Sequence, residues 1–168
     1  MDFEPANINL KISQGTDRWV EMRLVTPAVP ADLIGGKWVS RATGLELTES
    51  ELNPYDFTGK DYFGAMRKKH SSGTTSPITA TNGLNFSSTA NPPTARFGPR
   101  QGDFALFFGA EATRFLKAND YPLEQDTDGD PILMASKWVY DSEVKDRVTG
   151  LVSRLCYGQV VLTAEVTK

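Results

Sequence analysis

The amino-acid sequence predicts a mainly β domain, on three observations. Residues 132–168 alternate apolar and polar side chains over two long runs that a turn separates, which is typical of an antiparallel hairpin. The composition, with 14 Gly and 10 Pro, favours strands and turns, and no helical periodicity is sustained. The length of 168 residues suits one domain, predicted as 1–168 with a loop-rich insertion around 70–100.

The C-terminal hairpin is predicted to have one polar and one apolar face. Trp138, Tyr140 and Val144 point to one side, and the charged residues between them point to the other. Gly150 ends the connecting turn and can take a positive φ. Because the second run is longer than an ordinary strand, Gly158 is predicted to mark a bulge. The residues of that run that share the apolar side are Val152, Cys156, Val160, Leu162, Ala164 and Val166.

Strands from earlier in the chain must cover the apolar face of this hairpin, because an isolated hairpin is only marginally stable. Alternation of apolar and polar residues predicts these strands in chain order. They are 7–13, 19–25, 37–41 around Trp38, 62–69 and 102–108. The segment 78–86 is predicted to pair weakly, whereas Gly, Pro and polar residues predict loops elsewhere. These loops are 31–36, 70–77, 87–99 and the acidic 119–131.

Two short helical elements are expected. Residues 48–51 are able to form a single helical turn. Residues 109–117 predict a short helix that places Ala112, Phe115 and Leu116 on one face.

Charge and composition argue against several classes of function. The net charge of −3, from 18 Lys+Arg and 21 Asp+Glu, gives no reason to expect nucleic acid as a partner. No apolar run is long enough for a membrane span and the opening residues lack a signal-peptide pattern, so we expect a soluble chain without a membrane partner. Cys156 is the only cysteine, which excludes an internal disulfide and predicts a small buried hydrophobe.

Few residues suggest chemistry. Asp126, Asp128 and Asp130 alternate as at the start of a calcium loop, but the bidentate glutamate and flanking helices are missing, which favours a solvated turn. His70 is the only histidine, and a plain exposed histidine is the favoured interpretation. The basic run 67–69 is interpreted as a solvated strand end. We therefore expect no catalytic, cofactor-binding or metal-binding residues, no cofactor and no enzymatic activity.

A series of short motifs runs through most of the chain. They are the strand 8–15 ending in Gln14-Gly15, Asp56-Phe57-Thr58-Gly59 with Met66-Arg67, 104–116 with Thr113, Tyr140-Asp141, Val152-Ser153-Arg154-Leu155, Gly158-Gln159-Val160 and Glu165-Val166-Thr167. Their order resembles a family of small tail and baseplate-associated proteins of tailed bacteriophages. The interval from Gly15 to Asp56 is longer than in that pattern, and an alternative alignment uses 32–35 as the loop. The resemblance implies an antiparallel immunoglobulin-like β-sandwich without catalytic residues.

The resemblance also implies a function. We expect a structural component of the virion in the tail, baseplate or neck, assembled in the host cytoplasm. It would bind other virion proteins and itself, as a homo-oligomer or symmetric assembly, through sheet faces, an exposed edge and the loops 71–77 and 87–100. Two alternatives stay open. One is a head decoration protein, and the other is a carbohydrate-binding module on a fibre that uses Trp19, Trp38 or Trp138, although Trp138 is better placed in the core.

Overall fold

The computed structural model describes residues 5–69 and 77–165. These residues form four sheets, one five-residue helix and a 3₁₀ turn at Glu49–Glu51, which confirms the mainly β class and the helical turn predicted at 48–51. The helix α1 is Ala110–Arg114. The strands are β1 (Ala6–Asn7), β2 (Leu10–Ser13), β3 (Arg18–Arg23), β4 (Val25–Pro27), β5 (Ala31–Ile34), β6 (Lys37–Ser40), β7 (Leu52–Pro54), β8 (Lys60–Arg67), β9 (Gly83–Ser87), β10 (Ala95–Phe97), β11 (Asp103–Phe108), β12 (Tyr121–Gln125), β13 (Pro131–Asp146) and β14 (Val152–Thr163).

The two larger sheets pack face to face around one core. The large sheet has the strand order β1-β14-β13-β8-β9, with β2 also beside β14 and β12 also beside β13. The small sheet has the order β10-β11-β3, and the pairs β4-β7 and β5-β6 form separate ribbons. The ring centroids of Tyr62 and Phe104 lie 5.5 Å apart, and those of Phe86 and Phe108 lie 5.2 Å apart, so aromatic rings from both sheets meet. The immunoglobulin-like strand order stays a prediction.

The predicted C-terminal hairpin is confirmed. β13 and β14 pair antiparallel along most of their length. Trp138, Tyr140 and Val144 are buried on the core side, as their spacing predicts. Gly150 lies in the connecting turn with a φ of 71°, a value that glycine reaches without steric cost. This hairpin therefore forms the centre of the large sheet.

The bulge lies at a different position from the predicted Gly158. The register between β13 and β14 shifts after Ser142, where Leu155 is the extra residue of β14. The shift interrupts the alternation of sides, so Leu155 and Cys156 are both buried and Val152 is exposed. The prediction that Val152 shares the apolar side is therefore wrong, because strict alternation holds only up to the bulge.

Gly158 has another role in the fold. It stays in register opposite Tyr140, and a Cβ at this position would lie 2.0 Å from the carbonyl oxygen of Ile8. The Tyr140 hydroxyl donates a hydrogen bond of 2.7 Å to the same carbonyl. The glycine thus admits the N-terminal segment to a close approach that any side chain would prevent.

The N-terminal strands differ from the predicted antiparallel pairing. Ala6 of β1 pairs with Cys156, and Leu10 of β2 pairs with Val160, both in parallel register. Ile12 is buried, as the alternation in this segment predicts. Alternation fixes which side chains face the core but not the direction of the partner strand, so the sequence pattern does not reveal this mixed sheet.

Three segments predicted as loops contain strands. In 31–36, β5 leads into a tight turn in which Gly35 and Gly36 have φ values of 58° and 80°, and β6 returns beside it. In 87–99, β10 pairs with β11, and in 119–131, β12 pairs with β13. Each segment is too short or too irregular for a clear alternation and is stabilised by a partner strand. The insertion predicted around 70–100 accordingly holds β9 and β10.

The predicted helix is present but buries a different face. Thr113 and Leu116 are buried, whereas Ala112 and Phe115 are exposed. The Thr113 hydroxyl accepts a hydrogen bond of 3.0 Å from the backbone N–H of Gly15. The helix is therefore oriented by its contact with the turn after β2, which its own apolar spacing does not show.

The Asp146 carboxylate closes the β13-β14 turn. Its Oδ1 accepts hydrogen bonds from the backbone N–H of Thr149 at 2.8 Å and of Val148 at 2.9 Å. Lys60 Nζ lies 3.3 Å from its Oδ2. The backbone hydrogen bonds are the largest cause that lowers the pKa of Asp146 from 3.8 to about 2.

Replacing Asp146 with asparagine should make stability less sensitive to acid. A carboxyl whose pKa is lowered by folding stabilises the protein above its unfolded-state pKa, and this contribution is lost as the pH falls from about 4 to about 2. Wild type should therefore lose more free energy of unfolding than Asp146→Asn across this interval, measured by urea denaturation at each pH. Asparagine keeps an oxygen acceptor for the turn. If the free energy of unfolding depended equally on pH in the two proteins, the lowered pKa of Asp146 would be contradicted.

Candidate functional site

The end of the β13-β14 hairpin presents apolar side chains to solvent. Val148, Leu151 and Val152 are 93%, 70% and 57% exposed, and we call these three residues the β13-β14 tip. Arg147 donates a hydrogen bond of 2.7 Å from Nε to Asp61 Oδ1 and so attaches the turn to the beginning of β8. Large apolar side chains concentrated at one ordered turn are typical of a surface that contacts another molecule.

A second apolar cluster lies on the β5-β6 ribbon. Leu33 and Ile34, each 60% exposed, immediately precede the glycine turn, and Leu45 is exposed in the segment that follows β6. We call these residues the β5-β6 tip. An ion pair of 2.7 Å between Lys37 and Glu46 joins β6 to that following segment. This ribbon therefore presents a second group of three exposed apolar side chains.

An open groove of about 590 Å³ lies on the outer face of the small sheet. Three arginine–carboxylate pairs lie along it: Arg23–Glu49 at 2.6 Å, Arg100–Asp103 at 3.1 Å and Arg96–Glu21 at 3.7 Å. The hydrogen bond from Arg23 is the main cause that lowers the pKa of Glu49. Because each arginine already has a carboxylate partner, the charges of the groove favour neither an anion nor a cation as ligand.

The three tryptophans proposed as sugar platforms lie in different environments. Trp138 is buried in the core, as predicted. Trp19 lies on the outer face of β3, with its ring centroid 5.1 Å from that of Phe107 and 4.2 Å from the Arg96 guanidinium carbon. Trp38 is half-buried in β6. Since Arg96 covers one face of Trp19, this arrangement adds no support to the carbohydrate-binding alternative, which stays a prediction.

The acidic residues predicted as a solvated turn do form an exposed turn. Asp126 Oδ1 accepts hydrogen bonds from the backbone N–H of Asp128 at 2.9 Å and of Asp130 at 2.8 Å, so this carboxylate shapes the turn. Across 5–69 and 77–165, no group of three or more His, Cys, Asp or Glu side chains is arranged to hold a metal ion.

Cys156 is fully buried, as predicted, and burial raises the pKa of its thiol. A thiol that is both inaccessible and protonated is a poor nucleophile. His70 lies outside the described residues, as do Val166 and residues 71–76 of the loop expected to bind other virion proteins. In the described part of the chain, no helix has the length and apolarity needed to cross a bilayer.

The basic run 67–69 lies close to Lys117 and Lys137, which come from other parts of the chain. Lys68 hydrogen bonds to one oxygen of Asp120, and Lys117 Nζ lies 2.7 Å from the other. The hydrogen bonds from Lys117 and Lys68 hold the pKa of Asp120 well below its usual range. Lys69 and Lys137 line the same small pocket, which has a volume of about 350 Å³.

Sequence reasoning missed both tips and the full lysine cluster. Gly35-Gly36 is a recognised hairpin signal, and Val148 and Leu151 are apolar residues in or beside a predicted turn. Both tips could therefore have been predicted from the sequence. Lys117 and Lys137 are far from 67–69 along the chain, and no local pattern connects them.

Comparison of the sequence with protein-family models and with curated proteins finds no match.

Proposed function

We propose that this protein is a non-enzymatic structural component of a tailed-bacteriophage virion, in the tail, baseplate or neck, that binds neighbouring virion proteins. The observation that carries the docking role is the β13-β14 tip. Its three apolar side chains remain in water although a buried position would be more favourable by about 1.5–3 kcal/mol for each of them. A partner that covers this tip would recover that free energy.

The tip is suited to docking because its backbone is already ordered. Asp146 accepts two backbone hydrogen bonds within the turn, and Arg147 attaches the turn to Asp61. An ordered loop loses little conformational entropy on binding, so most of the gain from burying Val148 and Leu151 would appear as affinity.

The motifs behind the resemblance support the proposal, because residues from distant motifs contact one another. The Gln14 side chain donates a hydrogen bond of 3.0 Å to the Thr113 carbonyl and accepts one of 3.2 Å from the backbone N–H of Glu165. Arg154 of one motif lies 3.6 Å from Asp141 of another. The motifs thus mark positions where separate segments of one fold meet, as expected if the similarity reflects a shared architecture.

Replacing both Val148 and Leu151 with serine should reduce incorporation of the chain into particles at least tenfold, measured as its proportion in purified virions. The loss of two buried apolar side chains at the contact would weaken binding by about 2 kcal/mol or more, and about 1.4 kcal/mol corresponds to a factor of ten. The free energy of unfolding should change by only about 0.5 kcal/mol, because both residues are exposed in the isolated chain.

Ile132→Ser is the matched control. Ile132 is 58% exposed near the opposite end of β13, away from the tip, and its replacement should leave incorporation unchanged. Labelling the chain in intact particles would locate it and distinguish the tail from the head, where a decoration protein would lie. Absence of the label from particles, or normal incorporation of the double-serine variant, would contradict the proposal.

A further inference from the structure

The large sheet has a gap beside β13 where basic side chains converge. β12 pairs with β13 as far as Ala135, and β8 pairs with it from Val139 onwards, both on the same edge. In the described ranges, residues 136–138 have no strand partner on that edge. The pocket of about 350 Å³ opens at this gap. It is lined by Lys68, Lys69, Asp120, Tyr121 and Lys137, and together with Lys117 we call it the lysine pocket.

The lysine pocket carries more positive charge than its single carboxylate neutralises. Asp120 is its one carboxylate and is engaged by Lys68 and Lys117. Over residues 5–69 and 77–165, no carboxylate oxygen lies within 4.0 Å of the ammonium of Lys69 or Lys137. Lys137 Nζ lies 5.7 Å from the Tyr121 ring centroid, over an aromatic ring. Two ammonium groups are therefore available to an anionic partner.

The complementary charge lies on the same chain, at the opposite end of β12. Glu124, Asp126, Asp128 and Asp130 are exposed at the connection from β12 to β13, and we call them the acidic turn. No lysine or arginine nitrogen of the described residues lies within 4.0 Å of any of these carboxylates. Asp128 and Asp130 also make no side-chain hydrogen bond within this part of the chain.

The acidic turn is unable to reach the lysine pocket of its own chain. Asp126 lies six positions after Asp120, and an extended strand rises about 3.3 Å per residue, which places the two carboxylates roughly 20 Å apart. β12 is held in place along this distance by its pairing with β13. Complementary sites that are fixed apart on one rigid hairpin can pair only between molecules.

We propose that the acidic turn of one copy docks into the lysine pocket of a second copy of this chain. Because the two contacting patches differ, the contact is head-to-tail and leaves a free turn at one end and a free pocket at the other. Repeating it closes a ring or extends a helical array, according to the rotation at each step. The inference rests on the proposed function only for the idea that the contact forms in a virion. The contact itself should form between copies of the isolated chain.

A second copy is a better match than a polyphosphate or a nucleic acid. The pocket contains its own carboxylate, Asp120, and the chain as a whole carries a net charge of −3, both of which disfavour a long polyanion. A compact cluster of carboxylates on a turn is small enough to engage Lys69 and Lys137 without approaching Asp120.

The contact should respond strongly to salt, because Lys69, Lys137 and the carboxylates of the acidic turn are all exposed. Sedimentation velocity of the full chain in about 20 mM and about 500 mM NaCl is expected to show self-association that weakens at least tenfold in the higher salt. A chain that stays monomeric in low salt up to millimolar concentration would overturn the proposal.

Charge reversal on each side tests which residues are used. The pocket variant carries Lys69→Glu and Lys137→Glu, and the turn variant carries Asp128→Lys and Asp130→Lys, while Asp126 is kept because it shapes the turn. Each variant alone should associate at least tenfold more weakly than wild type. An equimolar mixture should recover association, because the acidic turn of the first variant fits the unchanged pocket of the second, and their reversed sites also match.

A pair of substitutions elsewhere controls for net charge. Lys11→Glu with Lys145→Glu changes the charge by the same amount as the pocket variant, at exposed positions of β2 and β13, and should leave association unchanged. The neutral variants Lys137→Gln and Asp128→Asn should weaken association by a smaller factor, and they provide the same comparison if a reversal variant fails to fold.

Three further outcomes would overturn the proposal. The first is that the pocket variant still associates as strongly as wild type. The second is that the equimolar mixture associates no more strongly than either variant alone. The third is that the turn variant associates as strongly as wild type while tripolyphosphate binds saturably to the pocket. The last would assign the pocket to phosphate. Failure of the virion assignment would instead appear as absence of the label from particles, so the two proposals fail by different measurements.

Discussion

Replacing Gly158 with alanine is expected to destabilise the fold by about 4 kcal/mol or more, because the new Cβ would lie 2.0 Å from the carbonyl oxygen of Ile8. That oxygen belongs to the backbone and accepts a hydrogen bond from Tyr140. It therefore cannot move aside as the end of a flexible side chain could. The N-terminal segment would have to leave its position beside β14. Urea denaturation would measure the loss, which is a large fraction of the 5–15 kcal/mol typical of a domain.

Gly109→Ala is the matched control for this substitution. The nearest atom to a Cβ at Gly109 is a ring carbon of Phe107 at 3.3 Å, and its φ of −78° suits any residue. The expected change is within about 1 kcal/mol. If Gly158→Ala lowered the free energy of unfolding no more than the control, the close approach of Ile8 to β14 would be contradicted.

Replacing Trp138 with alanine should cost about 3–5 kcal/mol of unfolding free energy. The ring is buried between the sheets, and its Nε1 donates a hydrogen bond of 3.1 Å to the carbonyl of Lys117. Alanine would leave both a cavity and an unpaired carbonyl. Trp138→Phe would keep most of the packing and lose the hydrogen bond, so we expect a loss of about 1–3 kcal/mol.

Trp19→Ala provides the comparison for Trp138, again by urea denaturation. Trp19 is half-buried on the outer face of the small sheet, where its ring contacts Phe107 and Arg96. Its loss creates no internal cavity and should cost clearly less than the loss of Trp138. Equal costs for the two tryptophans would contradict the burial of Trp138 in the core.

Strand pattern was the most reliable guide to the fold. Alternation predicted the strand at 62–69, which is β8, and in β13 it placed Trp138, Tyr140 and Val144 on the side that faces the core. These strands are long, and each has one face in the core, so the two-residue period is clear. The same reasoning could not find the bulge at Leu155, because a bulge changes the pairing without leaving a characteristic residue.

The elements that sequence reasoning missed depend on partners rather than on local pattern. β10 has three residues, and β12 contains Pro122 and a shifted register, so neither shows sustained alternation. The candidate sites were missed for a similar reason. The lysine pocket combines Lys68, Lys117 and Lys137, and they meet only because β8 and β12 share one edge of β13.

The parallel docking of β1 and β2 on β14 has a consequence for biosynthesis. Asn9 and Gln159 are joined by a hydrogen bond across 150 positions of the chain, so β1 and β2 find their partner only after the β14 segment has been synthesised. Contacts of such long range slow folding, since the intervening polypeptide must be arranged first. Until then the nascent chain leaves core residues such as Ile12 exposed, and transiently exposed apolar surface of this kind favours aggregation.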